Sequence, residues 1–215
     1  NPKGYFEFDG SNDNIPFTLT NFGTTTTVEI WMKMKAFVNG MPFGFNSYDV
    51  YTGYSGAMGF NTAAGDSYGL TSTQVTNLGL LNQWKHYVFE MRSDVSYTNN
   101  KIYVNVVNQS LSQVLSSELT SNRNFNSGNG RISGTRGDSG YKFPGSISSF
   151  RAYNRELTSE AWKQAKEMEA IGKEMSYDDG YAEGYKRALG LIKWNIENQL
   201  NKLNTDHIGD TNEMI

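Results

Sequence analysis

The sequence predicts an all-β protein, an antiparallel sandwich of two sheets with a helical appendage at its C-terminal end. Short segments of alternating apolar and polar residues recur up to residue 153, separated by closely spaced turn signals. Gly accounts for 22 residues and Tyr for 13, and the other abundant polar residues are Asn, Ser and Thr, which suits strands joined by many turns. A helical pattern begins at residue 158, after the strand segments have ended. Seven or more short strands at this spacing favour a sandwich over a βαβ fold.

The strands can be placed in order along the chain. The best-defined one is TTTTVEIWMKMK (24–35), which is β-branched and alternating. Residues 84–92 and 101–107 flank a tight Asn-Asn turn and are predicted to pair as a hairpin. The remaining strands are predicted within 4–8, 39–47, 49–72, 130–137 and 145–153. The residues expected to face the core are Trp31, Trp84, Phe89, Tyr103 and Phe150.

Composition excludes several classes of protein. The net charge is −3 at pH 7 and no Lys/Arg-rich run exists, so nucleic acid is not an expected partner. There is no cysteine, which rules out disulfides and thiol chemistry. No stretch approaches 18 apolar residues, so no membrane insertion is expected. The chain begins NPKGYF with neither Met nor a signal peptide, and we expect a fragment or a processed product.

Five stretches, taken in order, carry a resemblance to a known family. They are YFEFDGSNDNI (5–15), TVEIWMK (27–33), QWKHYVFEM (83–91), KIYVN (101–105) and FPGSISSFRAYNRELTSE (143–160). Over about residues 4–170 the chain resembles the concanavalin A-like lectin/glucanase, laminin-G-like jelly-roll domains. The resemblance implies a jelly roll whose last strand runs through a Tyr-Asn-Arg-x-Leu turn into one short helix. The expected organisation is a sandwich at 1–157, a closing helix at 158–172, an amphipathic helix at 173–205 and a flexible tail at 206–215.

The helix predicted at 173–205 has an apolar seam at alternating spacings of three and four residues. Its members are Ala182, Tyr185, Leu189, Ile192, Ile196, Gln199 and Leu203. One interpretation is a self-associating coiled coil, with a homotrimer as the expected oligomer. The other is a helix packed on its own sandwich, which the off-seam apolar residues Leu191, Trp194 and Leu200 favour.

Catalytic residues are not expected. The jelly roll carries glycoside hydrolases in some families, and these need paired carboxylates, commonly as Glu-x-Asp-x-Glu on one strand. No such triplet occurs, and Glu29 stands alone as an expected solvent-facing strand residue. His86 is interpreted as a packing residue and His207 lies in the tail, so no nucleophile–base set can be assembled. The chain is therefore predicted not to be an enzyme.

The turn DGSND (9–13) brings Asp9, Asn12 and Asp13 close together. Oxygen ligands at this density can hold Ca²⁺, and some relatives in the family bind calcium at the sandwich rim. The alternative is an Asx-type turn in which these side chains accept hydrogen bonds from the backbone. No cofactor is expected to be required, and calcium is the one metal that this turn suits.

The segment 45–68 combines aromatic rings with amides and carboxylates, the two components that bind sugars. The candidate glycan-binding residues are Asn46, Tyr48, Asp49, Tyr51, Tyr54, Asn61, Asp66 and Tyr68. The alternative is that alternate tyrosines pack within the sheet and the other residues lie at its rim.

The resemblance extends to bacteriophage structural and host-attachment proteins. It implies a non-enzymatic carbohydrate-binding or adhesion module at a virion surface or in an extracellular assembly. A cell-surface glycan and other virion or surface proteins are the partners it implies. Two alternatives stay open: a purely structural capsid, tail or fibre decoration protein, and a lectin-like accessory domain of a larger hydrolase.

Overall fold

Thirteen strands in the described part of the chain form two antiparallel sheets. The structure is a computed structural model that describes residues 4–20, 23–45, 49–61, 67–115, 127–134 and 140–157. The six-stranded sheet has the order β1 (Phe6–Asp9), β13 (Pro144–Tyr153), β3 (Thr25–Met34), β8 (Lys85–Arg92), β9 (Lys101–Val104) and β10 (Val107–Asn108). The seven-stranded sheet has the order β11 (Ser112–Leu115), β7 (Ser67–Leu70), β6 (Ala57–Asn61), β5 (Asp49–Tyr54), β4 (Phe43–Gly44), β12 (Ser127–Ile132) and β2 (Ile15–Thr20). The predicted all-β sandwich is confirmed.

The core lies between the two sheets and follows from strand alternation. On β3 every second side chain, from Val28 through Ile30 and Met32 to Met34, is fully buried in one apolar cluster. The facing sheet contributes Phe43, Phe60 and Leu70 among others. The outward positions of the strands therefore make up two outer faces, on which the polar residues must find partners of their own.

The prediction of core residues was right for Phe89, which is fully buried in this cluster, and partly right for Phe150, which packs against it. It was wrong for Trp31, Trp84 and Tyr103, which lie outside the cluster. Trp31 falls between two inward residues of β3, so alternation places it on the outer face beside His86, with 5.4 Å between ring centroids.

Tyr103 lies between the buried residues Ile102 and Val104, so it also points outward. Trp84 precedes β8 and packs edge-to-face on Tyr5, with ring centroids 5.4 Å apart. Two of the three residues, Trp31 and Tyr103, therefore lie on the outer face of the six-stranded sheet, whereas the prediction placed them in the core.

One short helix was not predicted. Helix α1 (Ser72–Asn77) begins at Thr71, whose hydroxyl accepts a hydrogen bond from the Gln74 N–H while the Gln74 side chain bonds back to the Thr71 backbone. This reciprocal capping box is visible in the sequence as Thr-x-x-Gln. Gln74 Nε2 also donates to the carbonyl of Ser110 at 2.7 Å, which ties α1 to the segment between β10 and β11.

The chain divides into two units, residues 1–157 and 158–215, and all described residues belong to the first. The predicted helices at 158–172 and 173–205, the tail at 206–215 and the seam residues lie outside the described residues, and those predictions stand as made. In the described part of the chain no helix has the length and apolar character needed to cross a membrane.

Candidate functional site

Three of the predicted glycan-binding residues meet on the outer face of the seven-stranded sheet. Val50 and Phe60 point into the core, so their neighbours Asp49, Tyr51 and Asn61 point outward. Asp49 and Asn61 are directly paired across β5 and β6. In the same row, Asp49 pairs with Gly44 of β4, and Gly44 pairs with Arg131 of β12. Asp49, Tyr51 and Asn61 of the predicted segment therefore lie close together on one face of the sheet.

These three side chains are not available to a ligand as they stand. Asp49 is 2% exposed, Asn61 3% and Tyr51 9%. The Tyr51 ring packs edge-to-face against Tyr141, with centroids 5.5 Å apart. Of the other predicted residues, Asn46, Tyr48 and Asp66 lie outside the described residues, as does the side chain of Tyr54.

Tyr68, the last predicted residue, lies away from the other three. It is paired with Phe60 across β6 and β7, so its ring lies toward the core side of the sheet. The ring packs edge-to-face with Tyr97, with ring centroids 5.2 Å apart. Its hydroxyl donates to the carbonyl of Thr98 at 3.3 Å. Burial, with a smaller contribution from Tyr97, raises the pKa of the Tyr68 phenol, so the ring stays neutral at physiological pH.

Tyr68 forms one wall of an open cleft, which we name the rim cleft. Its lining residues are Tyr68, Thr98, Asn99, Asn100, Lys101, Asn108, Gln109 and Leu111, and its volume is about 270 Å³. They come from β7, the 3₁₀ turn Tyr97–Asn99, β9, β10 and the segment before β11. The rim cleft therefore lies where the edge strand β10 of one sheet and the edge strand β11 of the other come near each other.

Local hydrogen bonds hold the amides of the rim cleft in fixed orientations. Asn99 Nδ2 donates to the Ser96 carbonyl at 3.0 Å, and Gln109 Nε2 donates to the Val107 carbonyl at 2.8 Å. Asn100 Oδ1 accepts from the Arg92 N–H at 2.9 Å. Among the described residues, no hydrogen bond reaches the side-chain oxygens of Asn99 and Gln109 or the amide of Asn108. The cleft thus presents fixed acceptors and a free amide to whatever enters it.

Of the described residues that line the rim cleft, Lys101 is the one that carries a charge. Its ammonium group contacts Glu90 Oε2 at 2.9 Å, and the Glu90 side chain is almost fully buried. The hydrogen bond to Glu90 raises the pKa of Lys101, so the ion pair persists well above neutral pH. The described lining residues therefore bring no uncompensated charge to the cleft.

Glu29 contradicts the expectation of a solvent-facing residue, because it is 5% exposed. Its Oε1 lies 3.1 Å from His86 Nε2, its Oε2 accepts from the Tyr153 hydroxyl at 2.9 Å, and Arg151 approaches at 3.4 Å. We call these four residues the Glu29 cluster. Burial raises the pKa of Glu29, but its bonds to His86 and Tyr153 and the charge of Arg151 outweigh burial, and the net pKa is lowered.

The turn at residues 9–13 has the geometry of an Asx turn. Asp9 Oδ1 accepts from the backbone N–H groups of Ser11 at 2.7 Å and Asn12 at 3.2 Å, and Asp13 Oδ2 accepts from the Asp9 N–H at 3.0 Å. These backbone hydrogen bonds lower the pKa of Asp9. In the described ranges, no group of three His, Cys, Asp or Glu residues is arranged to hold a metal ion. Calcium at Asp9, Asn12 and Asp13 stays a prediction.

The amides of the rim cleft were missed at the sequence level, although a signal was present. Asn99, Asn100, Asn108 and Gln109 flank one hairpin in the stretch 99–109. Residues 101–107 were read as a plain strand, and the amides at its two ends were not considered together. Their convergence with Tyr68 requires the two sheets to be packed, which no local pattern shows.

Comparison with known proteins agrees with this fold. Residues 9–161 match the laminin G-like family model described as "Concanavalin A-like lectin/glucanases superfamily". Among solved structures, a heptameric SAP-like pentraxin from Limulus polyphemus matches with 15% identity and a TM-score of 0.55, over 75% of this chain and 81% of the pentraxin. The receptor binding domain of botulinum neurotoxin C/D mosaic serotype matches with 13% identity and a TM-score of 0.50, over 76% of this chain and 42% of the toxin chain. Likenesses at this identity concern the fold alone.

A search of curated protein sequences found no match to the chain.

Proposed function

The chain belongs to the laminin G-like family of the concanavalin A-like lectin/glucanase superfamily, and we propose that it is a non-enzymatic carbohydrate-binding module. In this proposal it acts as an adhesion module at a virion surface or in another extracellular assembly. The fold leaves this choice open, because function depends on residues placed at the rims and faces of a shared scaffold. The observation that supports the proposal is the rim cleft.

The chemistry of the rim cleft suits a sugar. A sugar ring offers hydroxyl groups that both donate and accept, and the cleft meets them with the oxygens of Asn99 and Gln109 and with the amide of Asn108. The half-buried ring of Tyr68 supplies an apolar wall. The volume of about 270 Å³ lies near the lower end of the roughly 300–1,000 Å³ usual for small-ligand sites, which suits a short saccharide.

The absence of catalysis is part of the same proposal. A glycosidase needs two carboxylates that reach the scissile bond from its two sides. Among the described residues that line the rim cleft there is no carboxylate, and the Glu29 carboxylate is closed off by His86 and Tyr153. A module of this kind binds its ligand and leaves it intact.

The proposal is tested with the full chain on an array of oligosaccharides, followed by variants of the rim cleft. We expect the double variant Asn108→Ala/Gln109→Ala to lose most of its glycan binding with little change in Tm, since the Asn108 side chain is exposed and Gln109 is half-buried. The matched control is Asn77→Ala/Gln83→Ala, which removes two exposed amides that do not line the cleft.

An array without any bound glycan contradicts the proposed function. Equal binding by the wild-type chain and the Asn108/Gln109 variant shows instead that the ligand sits elsewhere, with the outer face near Tyr51 and Tyr141 as the next place to test.

A further inference from the structure

The ion pair between Lys101, which lines the rim cleft, and Glu90 bears on which sugars the cleft binds. Among the described lining residues Lys101 is the one cation, and its Nζ lies 2.9 Å from Glu90 Oε2. Glu90 is nearly fully buried, whereas the Lys101 side chain is about two-fifths exposed. A buried carboxylate that lost its cation would be left uncompensated, so the pair resists any ligand that draws Lys101 away.

Resting on the proposed function, we propose that the rim cleft selects neutral saccharides and discriminates against anionic ones. An acidic sugar must either compete with Glu90 for Lys101 or place its carboxylate or sulfate beside the acceptor oxygens of Asn99 and Gln109. Both options are unfavourable. A hydroxyl group, in contrast, donates to those oxygens without breaking the ion pair.

Binding is also independent of divalent cations under this proposal. In the part of the chain that the structure describes, the lining residues carry amides, one hydroxyl, one phenol, one ammonium group and one leucine side chain, and none of them has a carboxylate. Ca²⁺ is held in proteins mostly by carboxylates and carbonyl oxygens. Any calcium at Asp9, Asn12 and Asp13 would lie on a different turn from the cleft lining.

The experiment uses the full chain and an array that carries lactose, N-acetyllactosamine and chitobiose, each galactoside also in its 3′-sialylated and 6′-sulfated form. We expect neutral glycans to bind and their acidic forms to bind at least about fivefold more weakly. The signal of the neutral glycans should not change between low and high salt, or between calcium and EDTA. Stronger binding of the acidic forms by the wild-type chain overturns the inference and leaves the proposed function standing.

A variant makes the test specific to the ion pair. Glu90→Gln removes the negative charge but keeps an oxygen that can accept from Lys101, so Lys101 becomes an uncompensated cation. We expect this variant to gain roughly five- to tenfold in affinity for the sialylated and sulfated forms, with a gain that fades at high salt. The double variant Glu90→Gln/Lys101→Met should lose the gain for the acidic forms, because the cation that attracts them is removed.

No gain in Glu90→Gln, with its neutral binding and Tm intact, shows that Glu90 does not set the selectivity and overturns the inference. If Glu90→Gln fails to fold, two measurements on the wild-type chain test the inference. These are the ratio of neutral to acidic glycan binding and the effect of salt on the binding of neutral glycans. Binding of no glycan by the wild-type chain overturns the proposed function, and the inference with it.

Discussion

The Glu29 cluster and the rim cleft are both polar, and they differ in what their polar groups contact. In the Glu29 cluster, both carboxylate oxygens accept hydrogen bonds from His86 and Tyr153. In the rim cleft, the side-chain NH₂ groups of Asn99 and Gln109 donate to backbone carbonyls. In the described part of the chain, their side-chain oxygens accept no hydrogen bond. A polar group that is satisfied by its own chain contributes to stability, whereas one that is fixed and still accessible can serve a ligand.

The two regions also differ in the partners of their buried carboxylates, Glu29 and Glu90. The Glu29 carboxylate is bonded to His86 and Tyr153 and lies 3.4 Å from Arg151, whose side chain is more than two-fifths exposed. The Glu90 carboxylate forms an ion pair with Lys101, which is one of the residues that line the cleft. The first carboxylate therefore joins strands β3, β8 and β13 to one another, and the second one sets the charge of a candidate binding site.

The largest expected effect breaks the Glu29 cluster. Glu29→Ala leaves the buried His86 and the half-buried Tyr153 without their shared acceptor, and we expect the free energy of unfolding to fall by about 3–5 kcal/mol. Urea unfolding followed by tryptophan fluorescence measures this. Glycan binding by the fraction that stays folded should be unchanged, because no member of the cluster lines the rim cleft.

The opposite pattern is expected for Asn108→Ala/Gln109→Ala, which should affect binding and not stability. A Glu29→Ala chain that is as stable as wild type would show that the outer face of the six-stranded sheet does not depend on this carboxylate.

A smaller effect follows from acid titration of the same cluster. The folded-state pKa of Glu29 lies below its ordinary value of 4.5, so in this range the unfolded chain binds the proton more readily. The contribution of Glu29 is therefore present above pH 4.5 and is lost as the pH falls through the folded-state pKa. Unfolding free energies measured between pH 6 and pH 3 should decrease less steeply for Glu29→Gln than for wild type.

The unfolding free energy of the Glu29→Gln variant should still decrease as the pH falls, because other carboxylates are also stabilised in the folded state. The pKa of Asp94 is lowered by its hydrogen bond to Arg92, and the pKa of Asp9 is lowered by its bonds to the backbone. Identical acid slopes in the two chains would mean that Glu29 titrates alike in the folded and unfolded states, against the geometry of the cluster.

The smallest effect compares two tyrosine hydroxyls. Tyr87 is fully buried and, in the described part of the chain, its hydroxyl has no hydrogen-bond partner, whereas the Tyr153 hydroxyl donates to Glu29. We expect Tyr87→Phe to raise the unfolding free energy by about 1 kcal/mol, since an unsatisfied buried group is removed. Tyr153→Phe should lower it by about 1–2 kcal/mol, since a bond to a charged group is lost.

The unfolding free energies of Tyr87→Phe and Tyr153→Phe are measured by thermal and urea unfolding under the same conditions. A loss of stability in Tyr87→Phe would indicate that an ordered water satisfies that hydroxyl inside the core.

Sequence patterns were reliable where they depend on close neighbours. The alternation in TTTTVEIWMKMK predicted β3 almost to its ends, and the pairing of β8 with β9 was also predicted correctly. The predicted tight Asn-Asn turn was wrong, because residues 93–100 connect the two strands through the 3₁₀ turn Tyr97–Asn99. The predicted strand 101–107 ends at Val104, and Val107–Asn108 folds back on it as β10. Alternation predicted that Glu29 points outward, which is correct in direction. It could not predict that the residue would be buried, because His86 and Tyr153 lie 57 and 124 positions away in the chain.

The same limit applies to the candidate site. The predicted residues Asp49, Tyr51 and Asn61 lie on one face because β5 pairs with β6, which the sequence analysis did not consider. Their burial, and the separation of Tyr68 from them, depend on side-chain packing across the sandwich. The composition of the segment could therefore not show that its residues lie in two different places, and glycan binding by these residues stays a prediction.

By itself the sequence determined that this chain forms an antiparallel β-sandwich, because side-chain alternation and turn residues act over a few positions. The tertiary structure alone decided which polar residues are closed off and which stay open. Tyr68, Asn100 and Gln109 form one cleft only when the edges of two sheets come together. Desolvation and charge pairing depend on that arrangement in space, and not on distance along the chain.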